Sequence, residues 1–284
     1  MTIMANKPDR VFISIDMEGI SGIVDWTHVD SNHAEYGYYR KMMAGDLNAA
    51  IEGTLAAGVK EVVVSDAHGG MRNLQPEDVN EAAYLIRGSP KPDSMMEGID
   101  DGHYDAALYV GYHSMNGTEK GILAHTISSA TVDAVIINGR ETGEFGMNSA
   151  LAGWHGVPSV FLAGDAAAAA EAESFAPGIT TAPIKWAVGR YSAKCLHPNK
   201  SRGLIKQKAK EALEEIGRVN PYWVNEPVDV KLRWTTPTMA DAVCVLPYMD
   251  RVDGKTTHCV FDEYPSALRG LRAAISIAGT AERR

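Results

Sequence analysis

The chain has 284 residues, 45% of them hydrophobic, enough to bury one large core or two unequal ones. Its net charge of −9, with no basic stripe to neutralise phosphates, argues against nucleic-acid or anionic-membrane partners. No run approaches the roughly 18 apolar residues of a membrane span; the N-terminal MTIMANKPDR lacks the apolar centre of a secretory signal, so the cytoplasm is the default compartment.

The first element, RVFISIDMEG from Arg10 to Gly19, is an apolar, β-branched strand running into Asp16 and Glu18. Residues two apart on an extended chain share a face. Two acids projecting together repel unless a metal ion or a basic side chain lies between them. A polar loop follows, where His28 and His33 suit surface or capping roles. From Ala34 to Ala57, residues Tyr38, Met42, Leu47, Ile51 and Leu55 recur near helical spacing and Gly58 supplies a stop. This helix is the crossover to a second parallel strand, VKEVVVSDAHGG, which ends at Asp66 and His68 with Gly69 and Gly70 leading away.

ALYVGYHSM repeats the design with His113, after a turn containing His103, and His125 follows the apolar GILA a short excursion later. VDAVIINGRETGEFG reads as strand, turn and return, presenting Glu144 just before a helical pattern from Met147 to Trp154; His155 and Gly156 end that helix. VPSVFLAGD is a further strand ending at Asp165, before an alanine-rich helix. Asp165 either caps that helix or hydrogen-bonds a ligand histidine, and the cap is favoured. Apolar runs without alternation, separated by helices, are parallel strands buried on both faces. Sites in such sheets lie at the strands' carboxyl ends, so Asp16, Glu18, His68, His113, Glu144 and the returning His125 can converge.

After Arg190 the pattern changes. Lys200 to Val219 is a charged helix with Ile205, Ala209, Leu213 and Ile216 on one face, and VDVKLRW alternates as a one-sided strand. AVCVLP, TTHCVF and a final helix with Leu268, Leu271, Ile275 and Ala278 complete the unit. His258 and Cys259 are adjacent on a strand and therefore face opposite ways, which rules them out as a metal pair. Cys195, Cys244 and Cys259 form no C-x-x-C pair and read as reduced thiols filling the core. The fold expected is α/β: a mostly parallel sheet with flanking helices over residues 9–190 carrying the site, and a smaller α+β unit over 191–284 offering assembly surfaces, with a soft boundary at Arg190.

Charge decides how many ions the site suits. Three carboxylates and two neutral imidazoles total about −3, a poor match for one divalent ion; two leave about +1, which a bridging hydroxide cancels. Oxygen and imidazole ligands without thiolate suit zinc first, with manganese and cobalt also compatible. The short Asp16, innermost in the set, is the expected bridge.

SIDMEG at Ser14 to Gly19, SDAHGGMRNL at Ser65 to Leu74, GYH at Gly111 to His113, AHT around His125 and GEFGMN at Gly143 to Asn148 resemble the motifs of the D-aminopeptidase family of dinuclear zinc peptidases, peptidase family M55. The likeness runs from about Val11 to the last helix. It implies zinc ligands at Asp16, Glu18, His68, His113 and Glu144, an additional active-site histidine at His125, and a homo-oligomer closed as a decameric ring around an internal chamber. The implied reaction is hydrolysis of the N-terminal amide of short peptides or amino acid amides, with D-residues the expected substrates. In it a water bridging two metals attacks the carbonyl, and His125 bonds the oxyanion or passes a proton to the leaving amine. Three other readings stand beside it: a metalloamidase for another small amide, a dinuclear phosphoesterase weakened by the lack of an arginine or P-loop-like cluster near these motifs, and a non-catalytic metal- or peptide-binding protein.

Overall fold

The structure is a computed structural model and describes residues 7–281; residues 1–6, part of the segment searched above for a signal, lie outside it. In chain order the strands are β1 (Arg10–Ile15), β2 (Glu61–Asp66), β3 (Ala83–Ile86), β4 (Ala106–Tyr112), β5 (Val132–Ile137), β6 (Arg140–Glu141), β7 (Ser159–Asp165), β8 (Thr180–Gly189), β9 (Ser192–Cys195), β10 (Val228–Trp234), β11 (Asp250–Arg251) and β12 (Thr256–Phe261). The helices are α1 (Tyr36–Ala56), α2 (Glu144–Trp154), α3 (Ala166–Phe175), α4 (Pro198–Glu214), α5 (Pro237–Val243) and α6 (Tyr264–Ala278).

Seven strands form one sheet in the order β3-β2-β1-β4-β7-β8-β9, all parallel except the terminal β9. The chain enters at β1, winds outward through β2 and β3, then crosses back to β4 and continues on the other side. The direction of winding therefore reverses between β1 and β4, and the strand ends diverge there to leave a crevice. Both strands are apolar because both faces are covered: Val11, Phe12, Ile13 and Ile15 are fully buried, as is every residue of β4. Asp165 is the N-cap expected of it, accepting from the Ala168 amide 2.8 Å away.

The second sheet, ordered β11-β12-β10-β5-β6, is antiparallel. It corrects the expectation that every unalternating run joins the parallel sheet: β5 pairs with β10 on one side and β6 on the other, and two of its six residues are only half-buried. Nor do the two layers divide at Arg190. β5 and β6 precede that residue yet belong to the second sheet, whereas β9 follows it in the first, and α4 packs along α1. The strands β3 and β8 went unrecognised in the sequence, and AVCVLP closes α5 and turns. Of the free cysteines only Cys259 is buried; Cys195 is exposed, so filling the core describes one thiol of three. His28 is buried and stacks on Tyr39, with centroids 3.9 Å apart, instead of lying at the surface. Among the described residues no helix is long and apolar enough to cross a membrane.

Candidate metal centre

Asp16 leaves β1 with its amide still bonded to the Val110 carbonyl of β4 at 2.9 Å, and Gly19 donates to the Gly111 carbonyl at 2.7 Å. The two segments touch so closely that a Cβ on Gly19 would overlap the Tyr112 carbonyl, and one on Gly111, at φ +72°, the Asp16 carbonyl. Glycine is required at both places because the backbones themselves are in contact. The next turn is clamped from β8 by Lys185, fully buried, whose ammonium donates to the carbonyls of Glu18 (2.5 Å), Ile20 (3.0 Å) and Ile23 (2.6 Å). Three N–H donors meet three acceptors. On β2, Asp66 binds the amides of Asn73 and Leu74 and the Asn73 side chain, which in turn donates to the His68 carbonyl at 2.7 Å. Asp66 is thus committed to holding the His68 loop.

The residues singled out in the sequence meet at the crevice. His68 Nδ1 lies 3.1 Å from Glu18 Oε2 and 3.3 Å from Asp16 Oδ1; His113 Nε2 lies 3.4 Å from both Asp16 Oδ2 and Glu144 Oε1. Glu144 opens α2 and accepts the Ile127 amide at 2.6 Å. His125 stacks on His113 with centroids 4.1 Å apart, and its Nε2 is 3.7 Å from Glu144. His33, His103, His155 and His258 are not brought here; His258 pairs with Asp229 at 2.6 Å.

Each of the three imidazoles donates its far nitrogen to a main-chain carbonyl: His68 to Val29 (3.1 Å), His113 to Ser114 (3.0 Å) and His125 to Leu123 (2.9 Å). That bond fixes the tautomer and turns a lone pair inward, the arrangement that metal-ligating histidines use. Burial pushes the Asp16 carboxyl up to about 7, with the charge of Glu18 adding to it. Burial also opposes the charges on Glu18 and Glu144, but His68 holds the first well below its ordinary range and His113 brings the second to about 2. For His68 and His113 burial is likewise outweighed, by Glu18 and Glu144, and both rise well above the ordinary histidine value; burial and His113 lower His125. Protons on imidazole thus neutralise carboxylates where a cation would do the same.

The donor set fits a cation on a separate count. Asp16 Oδ2 and His113 Nε2 are buried, 3.4 Å apart and without any hydrogen-bond partner, a costly state for two polar atoms unless they share an ion. The ligand atoms fall into two groups, Asp16/Glu18/His68 and His113/His125/Glu144, each within 4.8 Å. Two residues absent from the sequence reasoning complete the surroundings: Lys185, and Arg272 of α6, which lines the same cavity of about 120 Å³. Burial pushes the Arg272 guanidinium down, with Glu144 the opposing charge. Both carried a signal, Lys185 as a cation inside an apolar strand and Arg272 as one on the face marked by Leu268 and Leu271.

A doubly wound sheet whose switch point gathers buried carboxylates and inward-facing imidazoles defines a metal-binding α/β enzyme. The chain belongs to the D-aminopeptidase family, Peptidase M55, whose family model matches residues 10–273. It is 36% identical over 248 residues to a D-aminopeptidase of Bacillus subtilis (strain 168), a match spanning 87% of this chain and 89% of that protein. Its fold superposes on the Zn-dependent D-aminopeptidase DppA from Bacillus subtilis, a self-compartmentalizing protease, with a TM-score of 0.94 and 33% identity over 97% of this chain and 100% of that one. The family resemblance read from the motifs is thereby borne out.

Proposed function

We propose that the chain is a dinuclear zinc aminopeptidase hydrolysing the N-terminal amide of short peptides or amino acid amides, with D-residues preferred. The observation that carries this reading is Asp16, whose two oxygens face His68 at 3.3 Å and His113 at 3.4 Å and so serve both ligand groups at once. Glu18 and His68 would complete one metal position, His113 and Glu144 the other. Bound zinc supplies Lewis acidity at the scissile carbonyl and acidifies the attacking water. His125 moves the proton: its Nδ1–H is committed to Leu123, and burial beside His113 favours the neutral ring, leaving an Nε2 lone pair that takes a proton and returns it to the leaving amine. That supports proton transfer over donation to an oxyanion. By analogy with the self-compartmentalizing relative, the chain forms a closed homo-oligomer, a decameric ring in the family pattern. The exposed Trp223, Val245, Val252 and Val260, all from the last third of the chain, suit its contacts.

The test is a panel of D- and L-aminoacyl amides and dipeptides, free and N-acetylated, with zinc-reconstituted protein of measured metal content. Cleavage of free D-substrates alone is expected, with two zinc ions per chain. Equal rates on acetylated substrates would make the chain a general metalloamidase, and full metal loading without any turnover would make it a binding protein.

A further inference from the structure

Arg272 and Ser94 face the catalytic cavity without internal partners. The Arg272 guanidinium lines the cavity with Asp16, Glu18, His68 and Glu144, yet among the described residues it makes no ion pair or hydrogen bond; the Ser276 hydroxyl bonds only its carbonyl. One turn earlier on α6, Arg269 is fully neutralised by a bidentate pair with Asp93 at 2.7 and 2.8 Å. The contrast is informative, since a guanidinium turned inward and largely shielded from water is costly unless it is paired. Ser94 lines the same cavity, is only 3% exposed, and its hydroxyl has no hydrogen-bond partner. Its φ of +54° is an uncommon conformation for a residue with a side chain, held in place because Arg269 pins the Asp93 carboxylate and Glu97 the Asp93 amide at 2.8 Å. Strain of this kind collects where a side chain must point at a ligand.

We propose that Arg272 and Ser94 form a subsite for the C-terminal carboxylate of a short peptide, so that the enzyme favours free peptide acids over their amides. This rests on the aminopeptidase reading above. Two divalent ions at the proposed centre would commit the charges of Asp16, Glu18 and Glu144, leaving the positive charge of Arg272 for the substrate. A carboxylate presents two acceptor oxygens in one plane, which a guanidinium matches with two parallel N–H bonds while a hydroxyl takes a remaining lone pair. An uncharged amide terminus offers one acceptor and brings N–H donors against a guanidinium that has only donors.

The experiment compares kcat/KM for one dipeptide as the free acid and as its C-terminal amide. The wild type prefers the acid; Arg272→Met lowers the acid-to-amide ratio on the order of 100-fold, Ser94→Ala about tenfold, and Arg272→Lys recovers part of the loss. Calorimetry with uncleavable analogues, the scissile amide replaced by a methylene-amine, reads binding separately from turnover: the acid analogue binds more tightly than the amide analogue to the wild type and equally to Arg272→Met. An unchanged ratio in Arg272→Met, or a wild type with no preference, overturns the subsite. If the protein cleaves no peptide, the aminopeptidase reading falls on its own. The calorimetric pair then decides the subsite, a wild-type preference for the acid analogue that Arg272→Met abolishes upholding it and equal wild-type binding overturning it.

Discussion

Replacing Lys185 by methionine tests whether the clamp behind β1 shapes the metal site. The side chain keeps its length and apolar stem but loses the ammonium, leaving the carbonyls of Glu18, Ile20 and Ile23 without their donor. A buried carbonyl so abandoned costs about 1–3 kcal/mol, or about 6 kcal/mol for three at mid-range. Against this stands relief from burying a cation. Burial lowers Lys185 from 10.5 to about 8, a fall that corresponds to about 3 kcal/mol. The net expectation is a loss of about 3 kcal/mol. Urea unfolding of the metal-free protein measures it, and a zinc titration alongside should show weaker binding, because the Glu18 carbonyl lies on the residue proposed as a ligand. A Lys185→Met protein within about 0.5 kcal/mol of wild type, with unaltered zinc affinity, would refute the reasoning.

Asp16→Ala should lose both zinc ions together and nearly all activity, since one substitution takes a ligand from each position; two equivalents retained by the folded variant, measured by elemental analysis, would remove Asp16 as the bridge. His125→Ala should keep its zinc and lose turnover by the equivalent of about 3–5 kcal/mol, the scale of one positioned general acid–base group. Zinc lost in step with activity would make His125 a ligand, as its place beside His113 and Glu144 also permits. Zinc binding to the metal-free protein should release protons from His68 and His113, both held well above the ordinary histidine value, so affinity should keep rising with pH beyond that value. Calorimetry in buffers of different ionisation enthalpy counts these protons, and a buffer-independent heat would contradict the prediction.

The parallel sheet and the gathering of its strand-end residues could be read from the sequence because Asp16, Glu18, His68 and His113 each follow an apolar run at the same structural place. The position after a buried strand is set by the pleat and by the next glycine, both local properties. Partnership between strands is not local. β5 is β-branched and largely apolar like β1, and its partner β10 lies nearly a hundred residues later, so nothing local to β5 announces that the two pair. The same limit hid Arg272: its register on α6 marks an anomaly, but which cavity the helix faces follows from α6 packing on α2. Glu144 was recognisable because two glycines and a helix start frame it, whereas Ser94 has only a positive φ that no residue pattern announces.

The packing of α6 on α2 also bears on synthesis at the ribosome. Tyr264, the first residue of α6, is fully buried and donates to the Met147 carbonyl at 2.8 Å, inside the helix whose first residue is Glu144. The helix that opens with Glu144 therefore rests on a support made more than a hundred residues later, and β5 waits for β10 before its free edge is covered. A nascent chain reaches a complete site only once α6 has been made and has packed on α2. Until then the open edge of β5 is a template for pairing with another chain.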